Sequence, residues 1–348
     1  MTGQTARVVR QAVAAGQIPG AVFAAGAPGQ PAEVVVAGHA QLYGGPRREM
    51  RRDTVFDVAS LTKVVATLPA VLRLASLGEI ALEDRVVRFL PCFHGEGREL
   101  VTVRHLLAHT SGLPAEVPYW RRCDGPEEIR RAIPRTALTH PPGRRVIYSD
   151  VGFLLLGLLV EAITAASLDV SVAELVTGPL EMTRTGFRVD AAGVSIAATE
   201  LQPDGSALTG VVHDENARAL GGVAGHAGLF APAGDLARYL ERAWLGPAGE
   251  FLSAASRRTA TRLQTDGLGG RRGLGWVLRG DAADFLGRRW PRGSLSHTGF
   301  TGTCLAGDPA SGAWAVLLTN DIHYGRGRGV IQGVREAVFD AWADRFGP

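Results

Sequence analysis

The chain has 348 residues, 46% hydrophobic and 20% charged, with a formal net charge of +3 and a pI near 9.0. That length allows a large buried core, in one big domain or two smaller ones. Its basic residues fall as scattered pairs such as Arg51-Arg52, Arg121-Arg122 and Arg271-Arg272. This pattern excludes a concentrated nucleic-acid surface and reads as a solvated Arg-rich exterior.

The first predicted element is a helix over about residues 4–16, followed by strands at Gly20–Gly26 and 33–39. From Ser60, the residues Leu61, Val64, Val65, Leu68, Val71, Leu72 and Ala75 recur at helical spacing and predict a buried helix, kinked at Pro69. Thr102 reads as the N-cap of a short helix through His109, closed by Gly112 and Pro114. Asp150 reads as the N-cap of an apolar helix over 151–164. A Gly-rich irregular stretch covers about 199–231, and Asp235 is expected to cap a helix to about Trp244. The end returns to strands at 275–278, 302–306 and 313–318, then an amphipathic helix over about 330–346.

Strands at both chain ends most simply meet in one antiparallel sheet. The fold expected is therefore α/β (α+β): an antiparallel sheet flanked by N- and C-terminal helices, with an inserted, mostly helical subdomain. The whole chain, 1–348, reads as one catalytic domain. Its α/β subdomain is placed at about 1–55 and 255–348, its helical subdomain at about 56–254, with a ligand cleft between them.

Lys63 is the only lysine among 37 Lys and Arg residues. Lysine, unlike arginine, can become a neutral amine when buried. It lies three residues after Ser60, so on a helix the two share a face. A neutral amine there can accept the Ser60 proton. The helix start also favours a developing anion. Tyr148-Ser149-Asp150 offers a hydroxyl that can relay a proton beside a lysine. His297-Thr298-Gly299, followed by Phe300, opens a predicted strand. Its glycine permits close approach of a ligand to the backbone. The N–H groups of Ser60 and Phe300 could form an oxyanion hole, at about 3 kcal/mol per donor.

In order and role these three elements parallel SxxK, SDN and KTG. With Phe56 through Lys63, Thr102 through Pro114 and Ser296 through Thr303, the sequence resembles the serine β-lactamase and penicillin-binding-protein superfamily. The likeness is to its class C branch of D,D-peptidases, β-lactamases and related esterases, over about residues 5–345. It implies a β-lactamase/transpeptidase-like fold and an acyl-enzyme at Ser60, later hydrolysed by water without a cofactor. Lys63 and Tyr148 share the general-base work, with the proton's recipient left open. Asp150, His297, Thr298 and Gly299 would bind the substrate. That substrate is a small acyl compound: an ester, a D-amino-acid peptide or a β-lactam.

Two positions depart from the family pattern. Asp150 stands where many relatives carry Asn, which loses a donor for an acyl-amide carbonyl and favours a charged Lys63. His297 replaces a lysine, so carboxylate recognition is expected to vary with pH near neutrality. The block from Val212 to Phe230 resembles the matching loop of D-alanyl-D-alanine carboxypeptidases in the superfamily. Its His213 and His226, like His105 and His109, are read as structural or cleft-lining rather than metal ligands.

Cys92, Cys123 and Cys304 are far apart, and no CxxC or HExxH occurs, so reduced thiols and no metal centre are expected. The longest apolar run, 151–160, is too short for a membrane span. The amino-terminal segment does not read as a signal peptide. The default location is cytoplasmic, or periplasmic or extracellular if the start is misassigned. A D,D-carboxypeptidase-like hydrolase is the leading expectation, with a carboxylesterase or class C-type β-lactamase as alternatives. A catalytically silent scaffold would be signalled by loss of Ser60, Lys63 or Tyr148, and all three are present.

Overall fold

The strands at the two chain ends pair as the sequence predicts. The computed structural model describes residues 3–344 apart from Ala191 and Ala248. Its strands, in chain order, are β1 (Gly20–Gly26), β2 (Glu33–Gln41), β3 (Arg48–Glu49), β4 (Val55–Asp57) and β5 (Gly186–Phe187), then β6 (Leu229–Pro232), β7 (Val277–Leu278), β8 (Leu295–Thr298), β9 (Cys304–Gly307) and β10 (Trp314–Thr319). Seven of them form one antiparallel sheet in the order β3-β2-β1-β10-β9-β8-β7. A second, three-stranded sheet runs β4-β6-β5.

β1 and β10 are buried at every position, because both faces of the sheet are covered there. Side chains alternate across a strand. Ala21, Phe23, Ala25, Ala315 and Leu317 pack against the helices Gln4–Ala14 and Ile331–Ala343. Phe23 meets Phe339 and Trp342 edge-on, with ring centroids 6.5 and 6.3 Å apart. Burying one such aromatic ring stabilises by about 1.5–3 kcal/mol. Val22, Ala24, Val316 and Leu318 face the opposite core, which continues into the helical middle of the chain. No single helix among the described residues is long and apolar enough to cross a membrane.

Several local expectations are corrected. The helix at Ser60 runs through residues 61–76 and is not α throughout: Lys63–Thr67, just before Pro69, forms a π turn. There the Leu68 N–H reaches back five residues to the Lys63 carbonyl. Pro69 has no N–H to give the next acceptor, and the Val64 carbonyl instead takes the hydroxyl of Tyr239. Ser149, not Asp150, caps the helix Asp150–Thr164: its hydroxyl accepts from Gly152 N at 3.1 Å and donates to Pro114 O at 2.7 Å. Asp235 lies inside the helix Ala233–Tyr239, and its carboxylate takes the Arg184 N–H and the Thr185 hydroxyl. The helix capped by Thr102 ends at Leu107, and His109 turns left-handed with φ +59°. The stretch 199–231 contains the short helix Glu215–Ala219 and the start of β6. The last helix is Ile331–Ala343; the end expected at residue 346 lies outside the described residues.

Candidate active site

The end of β4 organises the turn that carries Ser60. Asp57 is fully buried, and its carboxylate accepts Ala59 N at 2.8 Å and His213 N at 2.7 Å. The first of these bonds holds Ala59 in a left-handed conformation, φ +47°, which for a residue with a Cβ is strained. Burial raises the Asp57 carboxyl above the ordinary range, against the opposing pull of the two N–H groups. From the other side of the cleft, Thr301 Oγ1 donates to Asp57 O at 2.7 Å and Thr303 Oγ1 donates to Val58 O at 3.1 Å.

One turn into the helix, Lys63 is fully buried and donates to Ser60 Oγ at 2.9 Å and to His226 O at 3.0 Å. Asp150 Oδ1 lies 2.7 Å from the amine, an ion pair rather than a directed hydrogen bond. Asp150 occupies the first turn of its own helix, where the dipole favours a carboxylate. Burial opposes the charge on Lys63, but Asp150 and then Tyr148 outweigh it, and the amine is held above the ordinary lysine value. The Tyr148 ring centroid is 5.0 Å from Lys63 Nζ and 4.7 Å from the ring of His109.

The loop that supplies the His226 carbonyl is pinned twice. Gly225 packs directly on the helix Asp150–Thr164: a Cβ there would fall 2.1 Å from Phe153 O. His226 Nε2 lies 2.9 Å from Asp214 Oδ1, and Asp214 also caps the helix Glu215–Ala219. Burial opposes the Asp214 charge; His226, the Ala217 N–H and Lys63 overcome it and hold the carboxyl well below its usual range. His213 Nε2 contacts Glu200 at 3.1 Å. Thus His213 and His226 contact different carboxylates. Among the described residues no group of three or more His, Cys, Asp or Glu is arranged to hold a metal ion.

His297-Thr298-Gly299 ends a strand, β8, rather than opening one. The close approach at Gly299 is internal: a Cβ would fall 2.2 Å from Thr303 Oγ1 and 2.4 Å from Val58 O. His297 is buried, and Nδ1 bonds its neighbour's carbonyl, Thr298 O, at 2.9 Å. Burial first, then the charges of Lys63 and Arg272, push its pKa down to about 3. The charge change expected near neutrality does not occur, because this imidazole is neutral throughout that range. No hydrogen bond within the described chain uses the N–H of Ser60 or of Phe300.

Ser60, Tyr148, His297, Thr298, Gly299 and Phe300 line one cleft of about 530 Å³. Lys63 and Asp150 adjoin it through the contacts to Ser60 and to each other. The structure therefore brings together all the site residues singled out from the sequence. It adds two that were missed. Arg272, read as half of a solvated pair, is buried in the cleft and bonds Asp281 at 3.1 Å. Arg335 is buried too, donating to Gly299 O and Thr303 O at 3.0 and 3.2 Å. A signal existed for Arg335, which lies on the apolar stripe of its helix beside Val334 and Val338. None existed for Arg272.

The family described as Beta-lactamase matches residues 5–338. The chain belongs to the beta-lactamase family. Its members are serine hydrolases, and this chain is one of them. A relative from Escherichia coli strain K12, named "Putative D-alanyl-D-alanine carboxypeptidase", is 33% identical over 302 residues, 78% of this chain and 70% of the relative. A relative of the same name from Salmonella typhi is 31% identical over 303 residues, with the same coverage. The structure of EstCE1, described as a hydrolase with promiscuous acyltransferase activity, superposes with a TM-score of 0.76 at 24% identity, covering 97% of each chain. Unliganded simvastatin synthase (LovD) from Aspergillus terreus gives 0.76 at 20% identity, over 99% of this chain and 98% of that one. At these identities the likeness is one of beta-lactamase-type fold.

Proposed function

We propose that the protein forms an acyl-enzyme at Ser60 and acts as a D,D-carboxypeptidase-like hydrolase. The observation that carries this reading is the buried Lys63 amine 2.9 Å from Ser60 Oγ. The curated relatives' names support the substrate class. In this reading Ser60 Oγ attacks the acyl carbonyl, and the N–H groups of Ser60 and Phe300 hold the oxyanion. Tyr148 Oη takes the Ser60 proton while passing its own hydroxyl proton to the leaving amine or alcohol, so that the tyrosine ends the step neutral as the acyl bond breaks. Lys63, kept charged by Asp150, stabilises the anions formed beside it. Water, activated by the same tyrosine, then releases the acid and restores Ser60.

A second reading, hydrolysis of small esters, is favoured by Asp150. Ionised, it accepts but cannot donate to the carbonyl of an acyl-amide side chain. The first test is intact mass spectrometry of the wild type and Ser60→Ala after exposure to a fluorophosphonate and, separately, a penicillin. A wild-type adduct that Ser60→Ala lacks is expected. Equal labelling of both proteins would remove Ser60 from its role. Product analysis on a D-Ala-D-Ala peptide beside a p-nitrophenyl ester decides between the two substrate readings.

A further inference from the structure

We infer that His109 is a positioning residue for Tyr148, acting through the backbone on both sides of it. The inference rests on the proposed role of Tyr148. The histidine's own conformation is the first sign. His109 adopts φ +59° immediately after the helix Val103–Leu107 and is 1% exposed. That conformation is costly for a residue with a Cβ and is retained where the surroundings fix it.

What it fixes is residues 147–149. The His109 carbonyl accepts Ile147 N at 2.9 Å, and its ring Nδ1 accepts Ser149 N at 3.0 Å. The two bonds bracket Tyr148. Between them the imidazole lies against the Tyr148 ring with centroids 4.7 Å apart, and against Phe153 on the following helix at 5.2 Å. A backbone N–H can only donate, so Nδ1 is the acceptor and the ring proton is on Nε2. A charged imidazole would carry a proton on Nδ1 and break the bond to Ser149. The groups facing the ring all oppose that charge: burial first, then Arg272, Lys63 and His297 keep it neutral. The histidine supplies an acceptor and a flat packing surface at one point, under a tyrosine whose own segment is otherwise irregular between residues 144 and 149.

No other standard side chain does both. Asn tolerates φ near +60° and keeps an acceptor. Phe keeps the ring face and leaves the buried Ser149 N–H without a partner.

The test is a double-mutant cycle on p-nitrophenyl ester hydrolysis, with His109→Phe, Tyr148→Phe and the pair. His109→Phe is expected to lower kcat roughly 10–100-fold with little change in KM, the loss that an ångström of misplacement brings. The pair is expected to be no slower than Tyr148→Phe alone. His109→Asn is expected to recover most of the loss. Independent losses that multiply in the pair, or a His109→Phe enzyme with wild-type kcat, overturn the inference. If Tyr148→Phe itself is fully active, the role of Tyr148 fails and the inference fails with it, and the two failures are told apart by that single variant. Should His109→Phe not fold, histidine ¹⁵N NMR on the wild type decides. A neutral ring protonated on Nε2, unchanged from pH 5 to 8 and shifted in Tyr148→Phe, supports the inference. Absence from the spectrum of any such non-titrating ring overturns it.

Discussion

The hydroxyl of Tyr239 donates to the carbonyl of Val64, the acceptor that Pro69 leaves without an amide partner. This bond joins the helix Ala233–Tyr239 to the π turn that begins at Lys63. Tyr239→Phe strands a buried carbonyl. A loss of about 1–3 kcal/mol is expected, read as a lower urea midpoint at unchanged slope. An unaltered midpoint would mean that the turn relaxes to re-pair the carbonyl.

Asp150→Asn tests which group is the base. Asp150 and Tyr148 hold the Lys63 amine charged against its burial. Without the carboxylate, burial dominates and the lysine pKa falls. If Lys63 acts as a cation, kcat/KM should decline at a lower alkaline pH in the variant than in the wild type. A variant faster than wild type at pH 7 would instead identify neutral Lys63 as the base. The sign for stability follows the raised value: the pair's contribution is complete below the ordinary lysine value of 10.5 and is lost only as pH rises past the folded one.

His297 sets an acid limb on stability. Its folded pKa, about 3, lies below the ordinary 6.5. The unfolded chain therefore takes a proton that the folded chain refuses. The contribution is full above about pH 6.5 and is lost as pH falls towards 3, at up to about 1.4 kcal/mol per pH unit. Urea midpoints from pH 7 to 4 should fall less steeply in His297→Gln. Parallel curves would show that the imidazole charges in the folded protein. KM for a carboxylate-bearing substrate should stay flat from pH 5 to 8.

Asp57 couples the Ser60 turn to its surroundings. Asp57→Asn keeps the shape but turns an amide N–H towards one of the two N–H groups now accepted. Fluorophosphonate labelling of Ser60 should slow by roughly 10–100-fold, while circular dichroism stays native. Unchanged labelling would show that Ala59 holds its left-handed turn without help.

The sequence made the large sheet legible where apolar runs bounded by turn residues were long, as in β1 and β10. The second sheet was not legible. Its strands have two to four residues, too few for a period to emerge. Ser149 and Asp150 are both good N-cap types, so adjacency hid which one caps and which one faces Lys63. The SxxK spacing and the solitary lysine did reveal the Ser60–Lys63 contact, because a helix fixes i, i+3 geometry locally. Arg272, Asp57 and His109 gained their places through partners 9 to 156 residues away, and spacing carries no such information.

The one lysine of this chain is fully buried beneath Ser60. Amine-reactive reagents therefore find no side-chain target on the folded surface. Acylation of Lys63 by an amine-selective reagent becomes a stopwatch for opening of the cleft floor, with no background from other lysines. Coupling to an activated resin cannot proceed through surface lysines. Every other basic side chain of the lysine/arginine pair is arginine, so the surface charge does not depend on the residue on which the chemistry is proposed to depend.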